Sequence, residues 1–107
     1  MGLFSNFKHQ EQTKDTLKGI VNSIPEVYKV NRQFKNCKEF LEHNELELAL
    51  DSLIELTIET DGAFSNEFWL TLADCADSMK INASAEYCRK QIYPDLILCA
   101  FKLYTGL

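Results

Sequence analysis

Acidic side chains are the residues of this sequence whose type and spacing most clearly suggest chemistry. The stretch from Glu39 to Met79 holds eleven carboxylates and no lysine or arginine. Four of them recur at every fourth residue, and we call this set the carboxylate row: Glu47, Asp51, Glu55 and Glu59. On an α-helix this spacing stacks the four side chains along one face. Like charges at this spacing oppose helix formation by roughly 0.2–0.5 kcal/mol per pair, so the row predicts a face that binds a basic partner.

The remaining charges are segregated along the chain. Residues 1–38 carry a net charge of +4, residues 39–79 carry −11 and residues 80–107 carry +2, which gives −5 for the 107 residues. An acidic middle makes a poor nucleic-acid binder, because affinity for nucleic acid comes mainly from neutralised phosphates. It suits a basic protein partner instead. The predicted contacts, inferred from charge, are the carboxylate row together with Glu42 and Asp61.

Pairing within the chain is the alternative interpretation of the carboxylate row. The helix that precedes it is predicted to present a basic outer face: Lys29, Arg32, Lys35 and Lys38. These bases could fold against the row inside the molecule. Exposed pairs of this kind contribute little to stability, and the eleven acids outnumber the bases nearby. Partner binding is therefore favoured, and intramolecular pairing stays open.

Two smaller acidic groups have the outline of a site. Asp74 and Asp77 are three residues apart, and Glu42 and Glu45 flank His43. Groups like these are frequent on solvated helix faces, and one histidine does not complete a metal or acid–base site. The sequence also contains no glycine-rich phosphate loop and no nucleophile elbow. It predicts a protein that is not an enzyme and that uses no metal or other cofactor.

The four cysteines are predicted to be reduced thiols. No CxxC pair occurs, and only His9 and His43 could assist a metal site, so the spacing does not fit zinc. No secretory signal precedes the cysteines, which argues against a disulfide framework. Cys37 and Cys75 fall at apolar helical positions, where buried thiols are usual. A cytoplasmic protein with cysteines in its core is the expectation.

Length and composition predict one helical domain over residues 1–107, with residues 1–9 as a loosely ordered lead. An apolar fraction of 46% excludes a disordered chain. Four glycines and two prolines leave long runs free of helix breakers, and no period-two strand pattern is present. The predicted fold class is all-α: a single-domain bundle of five to six short amphipathic helices with a central helical hairpin. The helices are predicted near residues 10–22, 26–41, 45–60, 66–79, 85–92 and 95–104.

Capping signals set the predicted starts of the hairpin helices. Ser23 and Glu26 form a capping box, so the second helix is expected to start at Glu26. Its buried stripe is then Val27, Val30, Phe34, Cys37 and Leu41. Asn44 is expected to cap the third helix, with Glu47 at the capping-box position. The tight break at residues 43–44 makes these helices antiparallel neighbours.

The last helices follow from similar signals. Ser65 is expected to cap the fourth helix, whose buried side is Phe68, Trp69, Leu72, Cys75, Ala76 and Met79. Asn82 and Ser84 are expected to form a turn before the fifth helix. The segment 95–104 is apolar but contains two charges, and a membrane span needs about 20 apolar residues. It is therefore predicted to close the core as a final helix.

The segment from Phe40 to Leu56, FLEHNELELALDSLIEL, resembles the pattern hxxFLExxExxLALDxLxEL of small helical immunity proteins. These include the MafI family and related contact-dependent growth inhibition immunity proteins. The stretch Ser65-Asn66-Glu67-Phe68-Trp69, continuing through Ala76 to Met79, is similar to the next helix of that family. The resemblance covers roughly residues 34–81 and consists mostly of residues that pack a core.

The resemblance implies a cytoplasmic, non-catalytic bacterial protein that neutralises a toxin domain delivered by neighbouring cells. Such toxins are often nucleases, which must be basic around the active site to hold phosphates. An acidic surface would complement that charge and speed encounter. The implied partner is a cognate toxin domain, with no nucleic acid and no membrane, and the protein is expected to be a monomer or weak dimer. A non-catalytic helical adaptor or scaffold that binds a basic protein is the alternative.

Overall fold

Five α-helices make up the part of the chain that the structure describes. The computed structural model describes the backbone of residues 2–92 and the side chains of residues 10–92. Predictions about the segment 95–104 and about Cys99 lie outside these ranges. The helices are α1 (Gly2–Ser23), α2 (Arg32–Glu42), α3 (Leu46–Thr60), α4 (Asn66–Ser78) and α5 (residues 82–92). No strand occurs within residues 2–92, and the all-α fold class is confirmed.

Among helices α1 to α4, the hairpin of α2 and α3 is the most extensive pair, as the short connection predicts. The two helices are antiparallel, because Gln33 at the start of α2 bonds Glu59 near the end of α3. α1 packs against this hairpin and against α4. The core that they enclose is mainly aliphatic, and its largest fully buried side chains are Leu17, Leu50, Leu53, Leu56, Leu72, Cys37 and Cys88.

α2 and α4 end in the same Schellman motif, in which a residue with positive φ closes the helix. After α2, the N–H of Glu45 donates to the Phe40 carbonyl at 2.8 Å, and Asn44 has a φ of 58°. After α4, the N–H of Ile81 donates to the Ala76 carbonyl at 2.9 Å, with the left-handed residue at position 80. The prediction that Asn44 caps α3 is therefore wrong, because that residue terminates α2 instead. α3 begins after Glu45, without a side-chain cap bond.

The predicted start of the second helix at Glu26 is also wrong. The Ser23 hydroxyl donates to the Ile20 carbonyl at the end of α1, so it caps no following helix. Residues Glu26–Tyr28 form one 3₁₀ turn, and α2 begins only after Asn31, whose side chain accepts from the Gln33 N–H at 2.7 Å. The two valines assigned to the core are consequently in solvent, with Val27 71% and Val30 80% exposed.

Two further helix starts differ from the sequence-based expectation. α1 begins at Gly2 rather than near residue 10, because residues 3–18 contain no glycine or proline to stop it. α5 begins at residue 82 rather than 85, directly after the Schellman motif that ends α4. In contrast, α4 is capped as predicted, with the Ser65 hydroxyl accepting from the Phe68 N–H at 3.1 Å.

None of the helices within the described residues combines the length and the apolar character that crossing a bilayer requires.

Candidate functional site

All four members of the carboxylate row lie on α3 and are exposed to solvent. At about 1.5 Å of rise per residue, the first and last of them are roughly 18 Å apart along the helix axis. The opposite face of α3 is buried in the core by Leu46, Ala49, Leu50, Leu53, Leu56 and Thr57. The burial of that face fixes the rotation of α3 about its own axis. The carboxylate row, on the opposite face, therefore points into solvent. The placement of the row on an exposed face is therefore a direct consequence of the apolar pattern.

Glu59, the last member of the row, is paired within the molecule. Its carboxylate accepts from Gln33 Nε2 at 2.8 Å and from Arg32 at 3.4 Å, and both donors lie in the first turn of α2. The hydrogen bond from Gln33 and then that from Arg32 lower the pKa of Glu59 below its ordinary value. Intramolecular pairing, the alternative left open by the sequence, thus holds at this position.

The other three members of the row have no such partner among the described residues. No ion pair or side-chain hydrogen bond between described residues reaches Glu47, Asp51 or Glu55. Partial burial raises the pKa of Asp51, and the charges of Glu47 and Glu55 raise it further. The ionised row is therefore electrostatically unfavourable at its centre, which a basic ligand would relieve.

A groove between α3 and α5 adjoins the middle of the row. Asp51, Ile54 and Glu55 line it from α3, while Ala83, Ser84 and Tyr87 line it from α5, around a volume of about 400 Å³. Ile54 and Tyr87 are half-buried and pack against the core. The groove is open to solvent, so two carboxylates, an aromatic ring and aliphatic groups are accessible together.

Two apolar side chains share the exposed face of α3 with the row. Leu48 is 44% exposed and Ile58 is 53% exposed. The sequence spacing 48, 51, 55 and 58 follows the helical period, so these leucine and isoleucine side chains lie at either end of Asp51 and Glu55 on one stripe. This stripe was not among the predicted contacts. The two apolar residues outside the buried face of the helix were the signal in the sequence that could have predicted it.

The remaining predicted contacts are dispersed. Asp61 has a φ of 49° and ends α3 in the left-handed region. Glu42, the last residue of α2, lines a separate groove with three lysines from α1 and α2: Lys14, Lys18 and Lys38. The structure therefore does not bring Glu42 together with the carboxylate row, and it gives this carboxylate basic neighbours.

A larger groove lies at the N-terminal end of the row. About 920 Å³ in volume, it is bounded by Gln10 and Thr13 of α1, by residues 44–48 and by residues 77–80. Lys14 Nζ donates to Asn44 Oδ1 at 2.5 Å nearby, which ties α1 to the connection between α2 and α3. Glu47 is the only member of the row that reaches this groove within the described residues.

The other acidic groups singled out in the sequence form no metal cluster among the described residues. Asp77 accepts hydrogen bonds from both terminal nitrogens of Arg89, so it joins α4 to α5. The hydrogen bond that Arg89 donates to Asp77 is also the main cause that raises the pKa of Arg89 above its ordinary value. This pair has an evident structural role, because it links the ends of two consecutive helices.

The three cysteines of the described region are free and buried, which confirms the prediction for Cys37 and Cys75. Burial raises the pKa of Cys37 to about 12 and is the main cause that raises the pKa of Cys75 and Cys88 to about 11. Since the thiolate is the nucleophile, these thiols are unreactive near neutral pH.

Comparisons of this chain with models of protein families, with curated proteins and with solved structures found no match.

Proposed function

We propose that this protein is an immunity protein that binds and neutralises a cognate toxin domain through the exposed face of α3. The single observation that carries the proposal is a set of three exposed carboxylates: Glu47, Asp51 and Glu55. None of them forms an ion pair with a lysine or arginine among the described residues. A toxin domain with a basic surface, such as a nuclease, is the partner that this charge pattern fits best.

The cost of the row supports a binding role. Like charges one turn apart destabilise a helix by roughly 0.2–0.5 kcal/mol per pair, and a lysine at alternate positions of the row would replace this repulsion with attraction. Partial burial and then the charges of Glu47 and Glu55 raise the pKa of Asp51, so repulsion adds to the effect of burial in the folded protein. A row of like charges lowers the stability of the fold. Such a loss of stability is usually found at surfaces that have a function.

The pairing of Glu59 narrows the proposed contact. Oε2 of Glu59 already accepts from two donors of α2, one of them the cationic Arg32, so Glu59 attracts a basic partner less strongly than the unpaired members of the row do. We therefore assign the electrostatic contact to Glu47, Asp51 and Glu55, with Glu59 holding the hairpin together. Asp61 lies at the end of α3, and Glu42 lies away from the carboxylate row. Neither is a main contact in this proposal.

Co-purification with the product of the adjacent reading frame tests the proposal. Immunity genes sit beside their toxin genes, so an affinity-tagged copy of this protein should retain that product in a one-to-one complex. The complex should weaken as salt rises, because screening acts on the exposed charges. A complex whose affinity does not change with salt would indicate that the contact is made by apolar surface instead. The lack of any complex with the adjacent product would contradict the proposal.

An adaptor that joins two proteins is the second candidate, and one observation favours it. Val27 and Val30 are both exposed apolar side chains on the connection between α1 and α2. An adaptor needs two separate surfaces, and these valines and the acidic face of α3 would supply them. Retention of two different proteins at once, one sensitive to salt and one not, would support the adaptor.

A further inference from the structure

The groove between α3 and α5 has walls of two different chemical kinds. Asp51 and Glu55 provide carboxylates on one side, one helical turn apart, with Cβ atoms about 5–6 Å from each other. Ile54 and the ring of Tyr87 provide apolar surface, and both are held in place by packing on the core. A ligand that fits must therefore carry positive charge at one end and aliphatic or planar surface next to it.

The charge inside the groove is not neutralised by the described residues. No described lysine or arginine pairs with either carboxylate, and no hydrogen bond from the first turn of α5 reaches them. Partial burial, with added repulsion from Glu47 and Glu55, disfavours the ionised form of Asp51. A cation in the groove would reverse this effect, so charge complementarity selects a basic group as occupant.

We propose that this groove seats one arginine side chain of the bound toxin domain, an inference that rests on the proposed function. Arginine fits better than lysine for two reasons, and its aliphatic stem adds a contact that lysine could also make. Its planar guanidinium has five donors and can bond two neighbouring carboxylates at once. The same plane stacks on an aromatic ring such as that of Tyr87. Its aliphatic stem can lie along Ile54 while the charged head stays at the carboxylates.

Leu48 and Ile58 extend the docking surface on either side of the groove. Ten residues separate them on α3, which corresponds to about 15 Å along the axis. Apolar side chains that flank the arginine on the partner would cover them and exclude water from the central charge pairs. Interface energy concentrates in residues of this kind, with arginine among the most frequent, when neighbouring contacts keep water out.

A blocked Gly-Arg-Gly tripeptide is the probe, because it supplies the side chain without requiring the toxin. Amide resonances of the full chain are followed by NMR as the peptide is added, with Gly-Lys-Gly in a parallel titration. The expected result is one saturable set of shifts that covers both Asp51–Glu55 on α3 and the residues near Tyr87 on α5. Binding of the arginine peptide should be tighter than that of the lysine peptide by about two- to fivefold.

Two variants of equal charge separate a built groove from general attraction. Asp51→Asn with Glu55→Gln should weaken arginine-peptide binding by about tenfold. Asp74→Asn with Glu39→Gln removes the same charge from exposed positions elsewhere, so binding should be nearly unchanged. Tyr87→Leu should reduce the preference for arginine over lysine while the helical spectrum is retained.

Shifts spread over all acidic surfaces, equal losses in the two double variants, or no saturable shifts would overturn the inference. Each of these results concerns the groove alone. The toxin-binding proposal would still stand or fall on co-purification, so the two failures are distinguishable.

Discussion

Arg32 of α2 bonds Glu59 of α3, with 3.4 Å between the guanidinium nitrogen and the carboxylate oxygen. This contact divides the carboxylate row into two parts with different roles. Glu59 is used by the fold, since Gln33 also donates to it at 2.8 Å. Glu47, Asp51 and Glu55 face solvent without a described base, and the proposed function assigns them to a partner. A row that looks uniform in the sequence is therefore paired at one end and unpaired over the rest.

The pairing of Glu59 predicts a pH-dependent contribution to stability. Its pKa lies below the ordinary value of 4.5, so the folded state favours the ionised form. The stabilisation is present above the ordinary pKa and is lost as pH falls through the lowered pKa of the folded state. Glu59→Gln should therefore lower the melting temperature slightly at pH 7 and leave it unchanged in acid. Thermal melts of both proteins across this pH range are the measurement, and a deficit that persists in acid would contradict the assignment.

Asp51 should behave in the opposite way. Its pKa is raised above 3.8, so the folded state disfavours the ionised form, and stability is lost as pH rises through the raised pKa. Asp51→Asn should raise the free energy of unfolding by roughly 0.5 kcal/mol at pH 7, because two like-charge neighbours lose their repulsion. The gain should vanish once Asp51 is protonated. Denaturant unfolding of the natural protein and the variant, at pH 7 and at an acidic pH where Asp51 is protonated, tests this prediction.

The same Asp51→Asn variant should bind the partner less tightly while it is more stable. A gain in stability combined with a loss of affinity is the signature of a residue kept for binding. Asp74→Asn, an exposed carboxylate on α4, is the matched control and should change neither quantity appreciably. Loss of stability in Asp51→Asn would mean that this carboxylate has a structural partner.

Two glycines should respond oppositely to alanine. A Cβ at Gly19 meets nothing within 4 Å, so Gly19→Ala should stabilise α1 by about 0.5–1 kcal/mol. A Cβ at Gly62 would lie 2.5 Å from the Tyr28 hydroxyl, so Gly62→Ala should be destabilising. Chemical denaturation of the two variants gives both signs in one experiment. Equal effects would argue against the close packing of Tyr28 on the connection between α3 and α4.

Two serines that both resemble caps should also differ. Ser65→Ala removes the acceptor for the Phe68 N–H and should cost about 1 kcal/mol. Ser23→Ala removes only a hydrogen bond to the Ile20 carbonyl, which water can replace at a helix end. The loss of unfolding free energy should therefore be smaller. Unfolding free energies of the pair measure the difference. A larger loss for Ser23→Ala would restore the capping role that the sequence suggested.

Local patterns were sufficient where one helix face decides burial. The apolar stripe of α4, its Ser65 cap and the alignment of the carboxylate row on one face of α3 all follow from spacing within a single helix. Each of these depends on neighbours a few residues away, which a sequence displays directly.

The segment from residue 24 to 31 could not be predicted in this way. Tyr28 packs on Phe64, with ring centroids 5.4 Å apart, and over Gly62, contacts that join distant parts of the chain. Asn31 then competes with a continuous helix by bonding the Gln33 N–H. The pattern of Val27 and Val30 was consistent with a helix, but tertiary contacts decided otherwise. The groove between α3 and α5 likewise depends on how two helices are placed against each other.

The most direct test of the central claim is the dissociation constant of the complex with the toxin domain from the adjacent reading frame. Calorimetry should compare the natural protein with two triple variants of equal charge. Glu47→Gln, Asp51→Asn and Glu55→Gln neutralise the unpaired part of the row, while Glu39→Gln, Asp74→Asn and Glu86→Gln neutralise exposed carboxylates elsewhere. We predict that the first variant binds at least about tenfold more weakly and the second within about twofold of the natural protein. Equal losses in the two variants, or undiminished binding by the first, would contradict the assignment of the binding face to α3.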